Sequence, residues 1–400
     1  MKLACLFKGI LKIRMLLTAI FILAGFSGRS QKSEELITVN VLDVKQSELN
    51  ISQIAEDIKY LPLGNNIPMS EIEQVIYFDE QYFVTDKNEK FLRFNESGKL
   101  LNQIGKIGRG PGEYQSVRDF VVHQKTKNIY CINGRKPDHI IVYSLEGKYL
   151  HSIDLTNYTK YIGITNQNLF IYYFDARKNI EKNIKILNID GKIISGYSSK
   201  YNFTRSRVYN DWSECILYSL GGILHFKETH SDTIFYLDSV KIVPKMILNS
   251  GDRQFTIEKR EKINNDFLQN PTVIGETMAR TLRPINLFET NKYVFYFYRY
   301  DRKGRMLIYD KSTNQKIEID SEIGIKNDLD GGPNVELKTT KDDNTVFAWI
   351  NAFELKAHVA SETFKNSTPK YPEKKKELEK LANSLNENDN PVLMLVKLKE

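Results

Sequence analysis

The stretch from Ile104 to Tyr114, IGKIGRGPGEY, sets Arg109, Glu113 and Tyr114 among four glycines and a proline. A cation, a carboxylate and a phenol on a glycine-rich backbone could cradle a phosphate or grip a polar ligand. The phosphate reading fails on order. Such a cradle needs a strand, then the glycines, then a helix whose N-terminus faces the anion. Here GK[ST] is missing, Gly108, Gly110 and Gly112 do not make the G-x-G-x-x-G spacing, and the following VRDFVV reads as a strand. The stretch is expected to be a hinge between pieces of sheet, where Gly tolerates positive φ and Pro111 stiffens one step. Arg109, Glu113 and Tyr114 are the residues expected to line a binding mouth. The competing reading has Glu113 holding nearby backbone amides and Tyr114 packed between sheets.

Other chemistry is sparse. The six histidines are scattered without an HExxH or a metal spacing, and His225 and His230 are expected at the surface. No G-x-S-x-G nucleophile turn occurs. NDLDGG (Asn327 to Gly332) has some likeness to a calcium loop but lacks its twelve-residue ligand pattern, so a polar turn is expected. No cofactor is therefore expected; calcium remains possible without a motif behind it. YVFYFYRY (Tyr293 to Tyr300) could stack sugar rings, although alternation buries half of it between sheets in any case. After the first residues only Cys131 and Cys215 remain, each in an apolar strand-like run and expected to be a buried small hydrophobe.

The elements that would position these residues repeat. KFLRFNESGKLLNQI (from Lys90), HIIVYSLEGKYLHSI (from His139) and NIKILNIDGKIISGY (from Asn183) are each two alternating strands around a turn closing on Gly-Lys. Gly98, Gly147 and Gly191 sit where a tight hairpin needs positive φ. A second pair of short strands precedes each hairpin, opening at Val75, Asp119 and Tyr161. Four short antiparallel strands per unit make a propeller blade. Looser copies begin at Gly221, Lys292 and Thr345, the last ending in NPVLMLVKLK. The fold class predicted is all-β: a six-bladed β-propeller of four-stranded antiparallel blades, with five and seven blades as alternatives. Helical insertions are expected at about 253–283 and 356–388. ELITVNVLD (Glu35 to Asp43) is expected to complete the last blade and close the ring, because open sheet edges must be paired.

The net charge of +7 includes Lys2, Lys8, Lys12 and Arg14, with no acid in the first 27 residues, which leaves +3 for the rest. So weak a field disfavours nucleic acid as a partner. The basic start precedes MLLTAIFILAGF, too short to span a bilayer comfortably but suited to an export signal. The reading is a signal peptide over 1–27 followed by a single propeller domain over 28–400, with no transmembrane segment after signal removal. Met15 is an alternative start. LAGF resembles a lipoprotein box with Phe26 in place of the lipid-bearing cysteine, so lipidation there is chemically excluded.

GRGPGEY followed by a strand, together with the DGK and EGK hairpins, resembles the six-bladed β-propeller family common in secreted and lipid-anchored proteins of Bacteroidetes. That family is related in shape to NHL-repeat propellers. The resemblance covers roughly Ile37 to Lys399 and implies a fold and an exported location, in the periplasm or at the cell surface, but transfers no catalytic residue. The expected function is a non-catalytic binding or scaffold propeller for a glycan, peptide or protein partner. The alternative is a hydrolase or lyase with a cation-dependent axial site.

Overall fold

The computed structural model describes residues 36–400 apart from 43, 136–137, 156–157, 167, 174–182, 199–213 and 270–273. The export signal, Met15 and Phe26 lie outside the described residues. Contacts separate Met1–Ile37 from Thr38–Glu400, and the ring of sheets lies in the second unit. Six antiparallel sheets form it, each running from an inner strand outward in chain order, except that an N-terminal strand supplies the outermost position of two of them.

Blade 1 is Ile72–Phe78, Gln81–Asp86, Phe91–Asn95 and Leu100–Gln103. Blade 2 is Val117–Val122, Asn128–Asn133, His139–Ser144 and Tyr149–Asp154. Blade 3 is Thr159–Ile164, Asn168–Tyr173, Ile184–Asn188 and Ile193–Tyr197, and blade 4 is Cys215–Leu220, Ile223–Glu228, Thr233–Asp238 and Lys241–Asn249. Blade 5 is Arg283–Glu289, Tyr293–Tyr300, Lys303–Asp310 and Lys316–Asp320. Blade 6 is Thr339–Thr340, Thr345–Ile350, Val392–Leu398 and, outermost, Ala55–Pro62.

The ring closes as expected in kind but with a different strand. Ala55–Pro62 pairs along Val392–Leu398, with Ile58 opposite Val396 and Tyr60 opposite Met394. Ile37–Asn40 instead adds a fifth strand to blade 4, beside Lys241–Asn249. The reason is burial. A closing strand must fill the seam on both sides, and Ala55 and Ile58 are buried there, whereas Ile37–Asn40 buries only Val39.

The apolar cores lie between blades. Phe83, Phe91, Tyr114, Phe120 and Tyr143 fill the seam of blades 1 and 2, and Tyr82, Phe94, Phe347 and Leu393 that of blades 6 and 1. Cys131 and Cys215 are buried and unbridged.

The repeated Gly-Lys turns have a second duty beyond turning the chain. Gly98, Gly147 and Gly191 hold φ of 79°, 81° and 88°. Each also touches the end of the preceding blade's outer strand. A Cβ there would meet Pro62 O at 2.2 Å, Ile104 Cα at 2.8 Å and Ile153 Cγ2 at 2.2 Å respectively. Glycine is needed twice over, for conformation and for close approach.

The insertions are helical: α1 (Ile257–Gln269) and α2 (Ile274–Ala279) between blades 4 and 5, and α3 (Ala352–Ala360), α4 (Glu362–Asn366) and α5 (Pro372–Ser384) within blade 6. The second begins earlier than 356, because Asn351 and Glu354 form a capping box that ends the strand at Ile350. Leu355, Val359, Phe364 and Leu378 pack these helices together. No described helix is long and apolar enough to cross a membrane.

Candidate functional site

The first strands of all six blades surround an axial channel of about 730 Å³. Its wall carries a device repeated in four blades. The inner strand is bulged at its start, between Ile72 and Gln74, Val117 and Asp119, Thr159 and Tyr161, and Pro284 and Asn286. A bulge re-aims the side chain that follows it. That side chain is polar each time, and each time it reaches the next blade.

Gln74 Nε2 donates to Asp119 Oδ1 and to the Phe120 carbonyl, both at 3.2 Å, joining blade 1 to blade 2. Asp119 Oδ2 accepts from the Ile162 amide at 2.9 Å, joining blade 2 to blade 3. The Tyr161 hydroxyl accepts from the Glu214 amide at 3.1 Å, at the start of blade 4. Asn286 Nδ2 donates to the Lys338 carbonyl at 2.7 Å, joining blade 5 to blade 6. Blade 4 lacks the bulge and uses Tyr218, whose hydroxyl donates to buried Glu289 of blade 5 at 2.5 Å. Glu289 is also held by Lys245 and Lys311, whose ammonium groups overcome desolvation and keep its carboxyl below the ordinary range.

Asp119 is the one ionisable carboxyl among the four bulge-borne side chains. Desolvation dominates its environment and raises its pKa from 3.8 to about 7, against the opposing pull of its three hydrogen-bond donors and Arg118. No lysine or arginine among the described residues lies within ion-pair distance of it.

At the opposite end the turns between strands bridge blades. Asp343, in the first turn of blade 6, accepts from the Gly221 amide of blade 4 at 2.9 Å, and its carbonyl accepts from Asn291 of blade 5 at 2.8 Å. This turn therefore reaches past blade 5. Lys341 sits 3.8 Å from the centre of the Tyr77 ring, tying blade 6 to blade 1 by a cation–π contact.

The three residues singled out in the sequence lie elsewhere. Arg109 is exposed, and none of the three is among the side chains lining the channel. Glu113 Oε2 accepts from the Gly110 amide at 2.8 Å, inside its own loop. Tyr114 is fully buried in the seam of blades 1 and 2, where desolvation pushes its phenol well up. The loop is the hinge expected of it: Gly105 and Gly112 have positive φ, and the Tyr143 hydroxyl donates to the Gly112 carbonyl at 2.9 Å.

His225 and His230 are buried, against the expectation of surface residues. His225 stacks on Tyr218 at 5.1 Å and meets Lys245 Nζ at 3.0 Å. His230 contacts the Phe255 carbonyl and Arg260. Burial lowers both to about 4. A side chain that alternates outward on a single sheet still faces the next blade in a ring. Arg260 of α1 makes a two-pronged pair with Glu214 at 2.9 Å, which pins that insertion to blade 4. Asn327 and Asp330 bond within their turn, and no group of three or more His, Cys, Asp or Glu able to hold a metal occurs among the described residues.

The channel residues had one sequence signal: a side chain with a polar end two places after the β-branched start of a unit, as in Ile72-Glu73-Gln74, Val117-Arg118-Asp119 and Thr159-Lys160-Tyr161. Placing the strand starts at Val75, Asp119 and Tyr161 misses the bulges.

The family described as "Domain of unknown function (DUF4934)" matches residues 36–397, and the chain belongs to it. No curated protein matches the chain. Two solved structures share its fold. A Bacteroides fragilis protein described as a "putative exported protein" is 18% identical, with a TM-score of 0.74, over 92% of this chain and 100% of that one. A member of the DUF4221 family from Bacteroides vulgatus is 9% identical, with a TM-score of 0.53, over 89% of this chain and 99% of that one.

Proposed function

We propose that this DUF4934 chain is a non-catalytic binding propeller of the cell envelope, exported by its N-terminal signal, which holds a glycan or peptide segment in the axial channel. The NHL-like kinship read from the turns is part of the same proposal. The observation that carries it is the tying-off of the channel wall. Gln74, Asp119, Tyr161 and Asn286 each engage the backbone of the next blade, so the recess is rigid and its polar groups are fixed in place. A volume of about 730 Å³ falls within the range of small-ligand sites. Pre-set walls lower the ordering penalty of binding.

The alternative of a hydrolase or lyase draws on one observation, the Asp119 carboxyl poised near neutrality, as a general acid must be. A thermal-shift screen of the mature chain against glycans and peptides, with and without calcium, separates the two readings. Stabilisation by a glycan or peptide with no need for the cation is expected. Stabilisation by calcium alone, or turnover of a stabilising compound, would replace binding with catalysis.

A further inference from the structure

Asp119 is an odd choice for a clasp. The equivalent side chains of blades 1, 3 and 5 are a neutral amide, a phenol and a neutral amide, and each joins its neighbour without bringing a charge into the channel. A carboxylate withdrawn from water is unfavourable unless a cation accompanies it. Here its hydrogen-bond donors, the Gln74 side chain and the Ile162 and Phe120 amides, are all neutral. The side chain lines the cavity and is partly accessible from it. Counter-charge can therefore arrive through the channel.

We propose that Asp119 is the recognition point for a primary ammonium group carried by the channel's ligand, with the Gln74 and Ile162 donors fixing the carboxylate toward it. This deepens the binding reading above and rests on it. An ammonium donates three hydrogen bonds and neutralises the desolvated charge, and charge-assisted bonds of this kind are about twice as strong as neutral ones. Two ligand classes present such a group, a de-acetylated amino sugar and a lysyl peptide. The charged or titratable side chains on the strands around Asp119 are Glu73 of blade 1, Arg118 and Cys131 of its own blade, and Lys160 and Tyr161 of blade 3. Ionisation of Asp119 near pH 7 makes ammonium capture pH-dependent, strengthening between pH 6 and pH 8 for an amine that stays protonated throughout.

The test is calorimetric titration of the mature chain with matched pairs: chitotriose against its tri-N-acetylated form, and N-acetyl-glycyl-lysyl-glycinamide against the same peptide acetylated on the ε-amine as well. The free amine of one pair is expected to bind roughly tenfold tighter than its acetylated partner. The pair that shows the preference identifies the ligand class. For the lysyl peptide the preference grows from pH 6 to pH 8. Asp119→Asn is expected to bring free and acetylated forms within about twofold of each other, with a cooperative melt displaced by no more than about 2 °C, because Gln74 can turn its amide to meet the new side chain. Acetylated probes binding as well as free amines would overturn the ammonium inference and leave the binding reading standing. Binding of no probe at all would overturn both. The acetylation contrast in the wild-type chain decides the matter even if the variant fails to fold.

Discussion

Two rings of contacts hold the blades together, and they work by opposite means. The outer ring is made by glycines: Gly98, Gly147 and Gly191 let each hairpin turn press against the previous blade with no side chain between. The inner ring is made by side chains: Gln74, Asp119, Tyr161 and Asn286 cross from bulged strands to the next blade's backbone. The outer joint is steric, and its elements cannot be exchanged. The inner joint is polar, and four residue positions solve it with three different side-chain chemistries. A steric joint tolerates little change, while a polar one can be re-assigned to a ligand.

The outer ring is completed by the pairing of Ala55–Pro62 with the C-terminal strand and by Pro62 lying against Gly98. Removing it tests the comparison most severely. A chain truncated through Leu63 is expected not to fold, because blade 6 loses its outer strand and the seam loses Ala55 and Ile58. A chain truncated through Lys45 loses the added strand of blade 4 with buried Val39 and Val41, leaves ring closure intact and keeps a cooperative melt. Circular dichroism and thermal melts of the two distinguish them. Folding of the shorter chain would move ring closure away from Ala55–Pro62.

Next in size is a pair of glycine substitutions. Gly98→Ala meets both obstacles, φ of 79° and a backbone oxygen 2.2 Å from the new Cβ, and is expected to destabilise by about 2–4 kcal/mol. Gly221→Ala meets only the first, with φ of 58° and open space around it, and should lose about 1 kcal/mol. Urea denaturation of both variants measures the difference. Equal losses would reduce the outer ring to a matter of turn conformation.

The same contrast explains what could be read from the chain in advance. Gly-Lys turns are local, so a run of fifteen residues shows two strands and their hairpin, and three such runs show the repeat. The blades, their antiparallel order and both helical insertions were legible for that reason. The inner ring was not. A bulge changes neither composition nor alternation by more than one residue, and Gln74, Asp119 and Asn286 look like ordinary polar positions until the next blade lies beside them. GRGPGEY is legible as a hinge for the same local reason, and of the two readings of its side chains the one against a mouth holds: Glu113 serves the loop and Tyr114 the seam. The closing strand was missed because AEDIKYLP is interrupted by charge and less regular than the short ELITVNVLD.

A smaller effect is expected at the inner ring. Asn286→Ala removes the 2.7 Å bond to the Lys338 carbonyl and should lose about 1 kcal/mol. A loss as large as that of Gly98→Ala would make the two rings equivalent in strength, and the division between a steric and a re-assignable joint would fail.

The smallest effect is one of pH, and its sign separates Asp119 from its surroundings. A carboxyl raised from 3.8 to about 7 on folding binds its proton more tightly in the native chain, so its contribution favours the fold at low pH and is lost as pH rises toward 7. His225 and His230, lowered from 6.5 to about 4, act the other way: their contribution is present above pH 6.5 and is lost as pH falls through the window toward 4. In the native chain the two trends oppose each other between pH 4 and pH 6.5. Asp119→Asn deletes only the first. Its melting temperature relative to the wild type should therefore climb with pH from 4 to 7 and then level off. The total gain is about 2 °C, kept small because the channel admits water to the carboxyl. Calorimetric scans at half-unit pH steps follow the difference. A flat difference would mean that Asp119 is ionised throughout, with its charge already compensated inside the ring, and the inner joint would then be as closed to ligands as the outer one.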